Sequence, residues 1–247
     1  MKYDIRLERV REPAMQKQNL IIDGIPAALW GDGTEGLYVA VHGDQSHKED
    51  AIIAIFAGEA AKKGFRTLSF DLPEHGDREN ENRLCSVQNC IEDLHKIMNH
   101  ACTLSDRVRL FGCSMGAYFS MMAYKDEPIR NALLLSPVVD MRRIIENMML
   151  WFDVSLKRLE REQEIATPIK TLYWDYYKYV VDNPVRWDKP TAILYGEKDE
   201  LCEYEYVSAF AERSGADLTV VPGGEHFFHT NEHLAYFRNW LHGHIDT

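Results

Sequence analysis

Residues 107–116 read RVRLFGCSMG, and this stretch decides the fold. Arg107–Phe111 has strand character, Gly112–Cys113–Ser114–Met115–Gly116 breaks it, and helical spacing takes over from Met115 to Lys125. A sharp strand-to-helix turn of this kind lifts the Ser114 hydroxyl above a sheet. Glycines two positions to either side remove side chains that would collide there. A G-x-S-x-G pentapeptide arises by chance in roughly one chain in ten of this length. Its meaning therefore rests on context: an apolar strand before it and a helix after it. The plainer reading makes Ser114 a helix N-cap.

Outward from this turn, short apolar or β-branched runs alternate with longer helical patterns. Gly36–Val41, Arg66–Phe70, Asn131–Ser136, Thr191–Tyr195 and Asp217–Val221 read as further strands. Most are too continuously apolar for a sheet with one wet face and suit a parallel sheet covered on both sides. Glu49–Lys63, Ser86–Leu104, Glu203–Ser214 and Thr230–His242 carry helical spacing. The alternation predicts an α/β fold of right-handed βαβ units. Asn19–Asp23 and Ala27–Trp30, around a Gly24–Ile25–Pro26 turn, are expected to add antiparallel edge strands.

One segment breaks the rhythm. Between Ser136 and Thr191 no strand is expected; Met141–Phe152 and Leu156–Ile165 look helical. Thr167–Pro168 predicts the N-cap and first position of a third helix, which Asn183–Pro184 stops. Ile169, Leu172, Tyr173, Tyr176 and Val180 form its apolar stripe, with Trp174 and Tyr177 off it. Insertions this long in compact domains are often lids.

Composition excludes several classes. The chain has 247 residues, 45% hydrophobic and 27% charged, which suits one large globular domain and excludes disorder. A net charge of −11 without a basic run argues against nucleic acid as a partner. No apolar stretch is long enough for a membrane span. Met1–Lys2–Tyr3–Asp4–Ile5–Arg6 is charged, with no signal-like apolar region behind it. The five cysteines, Cys85, Cys90, Cys102, Cys113 and Cys202, contain no C-x-x-C pair. Reduced thiols in a cytoplasmic protein are the expectation. Cys85 and Cys90 read as small apolar fillers on a helix.

Two partners for Ser114 follow in order. Asp199 lies on the loop after Thr191–Tyr195, and His226, in Gly223–Gly224–Glu225–His226, follows the last strand. A serine, an acid and a histidine, each after a strand, let an imidazole take the hydroxyl proton while the acid fixes its tautomer. Open α/β sheets gather such sites at the carboxyl ends of their strands. Val41–His42–Gly43–Asp44 ends another strand, and the backbone N–H groups of Asp44 and Met115 are candidate oxyanion donors. Read alone, His42–Gly43 is an ordinary strand-ending turn. Glu200 is an alternative acid. Cys113 should point away from the cleft. His226, His229, His233, His242 and His244 form a histidine-rich tail without an H-E-x-x-H pair, so no metal and no cofactor are expected.

These residues together resemble the α/β-hydrolase superfamily of serine hydrolases, over roughly residues 19 to 243. Asp71–Leu72–Pro73–Glu74–His75–Gly76 is similar to the family's D-x-x-x-x-G loop. The resemblance implies an α/β-hydrolase fold, a mostly parallel central sheet flanked by helices. Residues 1–140 and 190–247 would form the core, and 141–189 a helical cap inserted before the strand carrying the acid. It also implies Ser114 as nucleophile, Asp199 as orienting acid and His226 as base. Asp44 departs from the pattern, since relatives commonly carry an apolar or aromatic residue there. The HGGG motif of many lipases and esterases is absent.

Hydrolysis of carboxylic esters through an acyl-enzyme on Ser114 is the expected activity. Thioester or peptide cleavage uses the same machinery, and a non-catalytic binding protein of this fold is the rival of a different class. Residues 141–189 are denser in aromatic rings than the 11% of the whole chain. Trp151, Tyr173, Trp174 and Tyr177 are candidates to contact a small or aromatic acyl group. The bland account is that such rings hold the cap to the core. Met148, Met149 and Leu150 keep a lipid groove open as a reading. A helix aromatic on more than one face needs a second partner, either a ligand or another copy of the chain.

Overall fold

The computed structural model describes residues 15–245, so the Met1–Arg6 reading lies outside the described residues. Eight strands form one sheet in the order β1-β2-β4-β3-β5-β6-β9-β10. They are β1 (Lys17–Ile22), β2 (Ile25–Trp30), β3 (Gly36–Val41), β4 (Phe65–Phe70), β5 (Val108–Cys113), β6 (Ala132–Leu135), β9 (Thr191–Gly196) and β10 (Asp217–Val221). The pairings from β4 through β10 are parallel, whereas β1–β2 and β2–β4 are antiparallel. This is the expected mostly parallel sheet with an antiparallel edge.

The pleat sorts each strand between two cores. In β3, Leu37, Val39 and Val41 enter one apolar cluster, while Tyr38 and Ala40 enter the other. The second cluster is closed by α1 (Ala51–Lys62) and α8 (Asn231–His244). The first is closed by α2 (Val87–Leu104), α3 (Met115–Tyr124) and α7 (Tyr204–Ser214). Local chemistry sets the helix ends. Asp50, Ser86 and Thr230 each accept a backbone N–H at their helix N-cap, and Gly215 takes the left-handed conformation after α7.

The β1–β2 turn corrects the expectation. Asp23 and Gly24, with φ of 48° and 84°, make the two-residue connection, and Pro26 lies inside β2 opposite Ile21. Asp-Gly accommodates two positive φ values, which matches the twist of a tight hairpin.

Between β6 and β9 run α4 (Met141–Trp151), α5 (Leu156–Glu162), a short β7–β8 hairpin (Glu164–Ile165 with Leu172–Tyr173) and α6 (Trp174–Asp182). The third helix therefore starts at Trp174, not at Thr167. Thr167 Oγ1 instead accepts the N–H groups of Ile169 and Lys170, closing a single turn at the hairpin tip. Pairing of Ile165 with Leu172 holds that stretch extended. Ile169 is exposed, and Tyr177, expected off the apolar stripe, is buried. Starting the helix six residues later than Pro168 rotates the stripe. The buried side chains of 141–189 join the first core cluster directly, from Met141 and Ile145 to Val180 and Trp187.

Candidate active site

Strand order places the site. β3 is flanked by β4 on one side and β5 on the other. The connections therefore diverge at its carboxyl end and open a crevice between the β3 and β5 loops. Ser114 ends β5 at that point with φ 49° and ψ −120°, a strained conformation for a residue with a Cβ. Its carbonyl accepts from Ala117 N–H at 3.1 Å and Val138 N–H at 3.2 Å, and its own N–H reaches Leu135 O at 3.0 Å. The Ser114 side chain makes no capping bond to α3, so the N-cap reading fails.

The flanking glycines are required by contact. A Cβ on Gly116 would stand 2.2 Å from His42 O and 2.5 Å from Val41 O, and one on Gly112 would meet Ala117 Cα at 2.8 Å. Gly43 passes so close that its Cβ would sit 3.2 Å from Ser114 Cβ, which places the Gly43–Asp44 loop beside the hydroxyl.

Ser114 Oγ lies 2.8 Å from His226 Nε2, and His226 Nδ1 lies 2.7 Å from Asp199 Oδ2. Asp199 is buried, and its other oxygen accepts the N–H groups of Leu201 at 2.9 Å and Cys202 at 2.8 Å. A carboxylate on Nδ1 leaves Nε2 as an acceptor for the serine proton. Glu200 is exposed, and Asp199 is the acid that meets His226. Gly196 and Gly224 pack so closely that a Cβ on Gly196 would be 2.6 Å from Gly224. That contact, with Lys198 N–H on Gly224 O at 2.7 Å, fixes the two loops carrying acid and base.

Polar pins hold the remaining walls. His42 donates Nδ1–H to Gly43 O at 2.7 Å and accepts Leu72 N–H at Nε2, so it is neutral; burial pushes it down to about 4. Asp71 receives Lys48 N, Lys48 Nζ and Asp77 N. A Cβ on Gly76 would stand 2.4 Å from the Asp71 carboxylate, the physical reason for glycine in the D-x-x-x-x-G loop. Asp44 is gripped by His75 Nε2 at 3.1 Å and by Lys170 Nζ from the 141–189 segment. Burial would raise its carboxyl, but those hydrogen bonds hold it at about 2.

A family model described as "Serine aminopeptidase, S33" matches residues 33–173. The chain belongs to this family of α/β hydrolases. Est1E from Butyrivibrio proteoclasticus, solved with ferulic acid bound, superposes with a TM-score of 0.74 at 21% identity, over 92% of this chain and 96% of its own. Alpha/beta hydrolase domain-containing protein 10 from mouse gives 0.74 at 16% identity, over 94% and 98%. The esterase EaEST from Exiguobacterium antarcticum gives 0.62 at 15% identity, over 92% and 98%. At these identities the likeness is one of fold. No curated protein matches the sequence.

In this α/β hydrolase the aromatic candidates separate. Tyr177 packs inward, its hydroxyl donating to Glu146 at 3.0 Å, and Trp174 stacks on it with ring centroids 6.0 Å apart. Tyr177 thus ties α6 to α4. Trp151 is half exposed at the end of α4, and Tyr173 is half-buried. Tyr176, which periodicity assigned to core packing, lies within electrostatic reach of Asp44, Cys85 and Tyr118; burial raises its phenol well above the ordinary range. No sequence signal distinguished it from its neighbours. Burial pushes the Cys113 thiol up to about 12, in keeping with a side chain turned into the core. Among the described residues, Asp199, Cys202 and His226 hold donor atoms within 4.8 Å of one another. Burial raises the Cys202 thiol far above neutrality, and Asp199 and His226 already bond each other, so the set suits a proton relay better than a cation. Also among the described residues, no helix is long and apolar enough to cross a membrane.

Proposed function

We propose that the protein is a serine hydrolase cleaving carboxylic esters of small or aromatic acids, with Ser114, His226 and Asp199 as nucleophile, base and orienting acid. The observation that carries this reading is the 2.8 Å and 2.7 Å relay joined to a strained Ser114 at the switch point of the sheet. Ser114 Oγ attacks the carbonyl carbon as His226 Nε2 takes its proton, and Asp199 holds the imidazole and steadies the imidazolium. Asp44 N–H and Met115 N–H are the donors for the oxyanion, each such donor being worth about 3–4 kcal/mol in the transition state. His226 then protonates the departing alcohol. Water, activated by the same imidazole, releases the acid from Ser114.

Residues 141–189 act as a cap over this crevice in our reading. Support comes from Lys170, which reaches Asp44 on the proposed oxyanion loop, and from Tyr176, which lies within electrostatic reach of the same carboxylate. A ring near that loop favours a compact aromatic acyl group. The ferulic acid bound by Est1E, a protein of the same fold, is an aromatic acid and agrees in class. A peptide bond is the second reading, favoured by the family description. An aminopeptidase needs a free carboxylate for the substrate's α-ammonium, and Asp44 is already taken by two cations.

The test is a fluorophosphonate probe, then p-nitrophenyl esters of increasing chain length against aminoacyl p-nitroanilides. Labelling at Ser114, and ester turnover falling beyond roughly eight acyl carbons as the pocket fills, is expected. Anilide turnover above ester turnover would establish the peptidase. Absence of a Ser114 adduct would leave a binding protein.

A further inference from the structure

Cys85 and Cys90 were read above as helix fillers, but Cys85 lies outside the helix. Ser86 is the N-cap of α2, its Oγ accepting Asn89 N–H at 3.3 Å. Cys85 is the residue before the cap and Cys90 the fourth inside it. These are the two positions whose side chains meet across a helix start, ordinarily as a pair of hydrophobes. Here they bring two sulfurs to 3.6 Å. Cys90 is buried and Cys85 is half-buried, so solvent reaches the pair through Cys85.

The third partner is His75. Its Nδ1 faces Pro73 O at 2.7 Å and its Nε2 faces the Asp44 carboxylate at 3.1 Å. Both neighbours only accept, so both ring nitrogens carry protons and the imidazole is cationic. Burial alone would lower its pKa, but the bonds to Asp44, Cys85 and Pro73 raise it to about 10. Cys85 therefore has cationic His75 and Lys170 within electrostatic range and precedes the positive end of α2. Glu74 accepts the Cys85 backbone N–H at 2.7 Å. The two sulfurs share a weak hydrogen-bond contact. That bond, helped by His75 against burial, brings the Cys85 thiol down to about 6 and drives Cys90 the other way.

We propose that Cys85 and Cys90 form a peroxide-reactive dithiol site, in which Cys85 is the attacking sulfur and Cys90 resolves it to a disulfide. The Cys85 thiolate attacks one oxygen of hydrogen peroxide, the O–O bond breaks, and hydroxide leaves to be protonated by solvent. This gives a sulfenic acid on Cys85. The Cys90 sulfur, losing its proton, attacks Cys85 sulfur; the S–O bond breaks and hydroxide departs with that proton as water. Two electrons pass from the two sulfurs to the peroxide, and one peroxide yields two waters. The sulfurs need to close from 3.6 Å to about 2.05 Å, a side-chain rotation at a helix start rather than a rearrangement of the sheet. A small dithiol reverses the reaction by exchange. This site does not depend on which bond the hydrolase cleaves.

An internal control decides the matter. Cys102 is exposed, but burial of its sulfur and nearby Glu127 raise its thiol pKa. Access favours Cys102 and thiolate content favours Cys85. Both cysteines of the pair fall in one tryptic peptide, Leu84–Lys96. In the native protein at pH 7, iodoacetamide should modify Cys85 at least about tenfold faster than Cys102. Limiting hydrogen peroxide should make the Leu84–Lys96 peptide about 2 Da lighter and refractory to alkylation, with recovery by dithiothreitol. In Cys90→Ser the product should stop at a sulfenic acid on Cys85 that dimedone captures. In His75→Asn the alkylation of Cys85 should slow about tenfold. Faster reaction of Cys102 than Cys85, or peroxide products that join Cys85 to another chain, would overturn the proposal. So would a Cys85 rate unchanged in His75→Asn.

Discussion

Ser114 sits at φ 49° and ψ −120°, held there by its N–H bond to Leu135 O and by carbonyl bonds from Ala117, Tyr118 and Val138. A side chain at such angles costs about 1–3 kcal/mol, relieved when glycine replaces it. Glycine in turn gives up about 0.5–1 kcal/mol through the greater freedom of its unfolded chain. Ser114→Ala and Ser114→Gly both lose the hydroxyl and its bond to His226, so the difference between them isolates the strain. Ser114→Gly should therefore be the more stable by about 1 kcal/mol, or a Tm about 2–4 °C higher at this chain length. Both variants should be inactive. Urea unfolding followed by circular dichroism, at equal m values, measures the difference directly. If Ser114→Gly is no more stable than Ser114→Ala, the elbow is relaxed in solution, and strain cannot be what presents the nucleophile.

Three further outcomes are expected. Gly116→Ala drives a Cβ to 2.2 Å from a backbone oxygen and should cost more than about 2 kcal/mol, whereas Gly58→Ala in α1 meets nothing within 4 Å and should stabilise by about 0.5–1 kcal/mol; paired urea titrations compare them. Asp199→Asn leaves His226 free to take the wrong tautomer, so kcat should fall by about 10⁴ with little change in KM, while exposed Glu200→Gln should keep its turnover; steady-state kinetics on one ester separates the two. Asp44, held at about 2, binds its proton more weakly folded than unfolded, so its contribution is present above pH 4 and is lost as pH falls toward 2. Asp44→Asn should destabilise by about 1–2 kcal/mol at pH 7, after allowance for its partial exposure, and by less at pH 3; unfolding midpoints at the two pH values read this out.

What was legible in the sequence was what local chemistry dictates. The run Gly36–Val41 could only be a central strand, because six consecutive buried residues need cover on both faces. Gly112, Ser114 and Gly116 signalled a sharp turn because an apolar strand runs into them and a helix runs out. The order of Ser114, Asp199 and His226 followed from strands whose carboxyl ends share one edge. Residues 141–189 resisted the same treatment. Thr167–Pro168 has the chemistry of a helix start, yet pairing of Ile165 with Leu172 overrides it, and the resulting shift turns Tyr177 inward. The polar network at the oxyanion loop was harder still, since Asp44, His75 and Lys170 come from three separate segments.

The placement of that network bears on how the site works. In the proposed mechanism a lone carboxylate at Asp44 would oppose the negative charge that forms on the substrate oxygen beside it. Here His75 and Lys170 each hold that carboxylate, so the local charge is at least balanced. His75 is cationic because of what surrounds it, and it does two jobs: it neutralises Asp44 and it polarises Cys85. Oxidation of Cys85 removes one of the anions that hold the His75 proton and leaves Asp44 as the other. The charge next to the proposed oxyanion donors is thereby set by three groups together, with Lys170 adding the contact from the 141–189 segment.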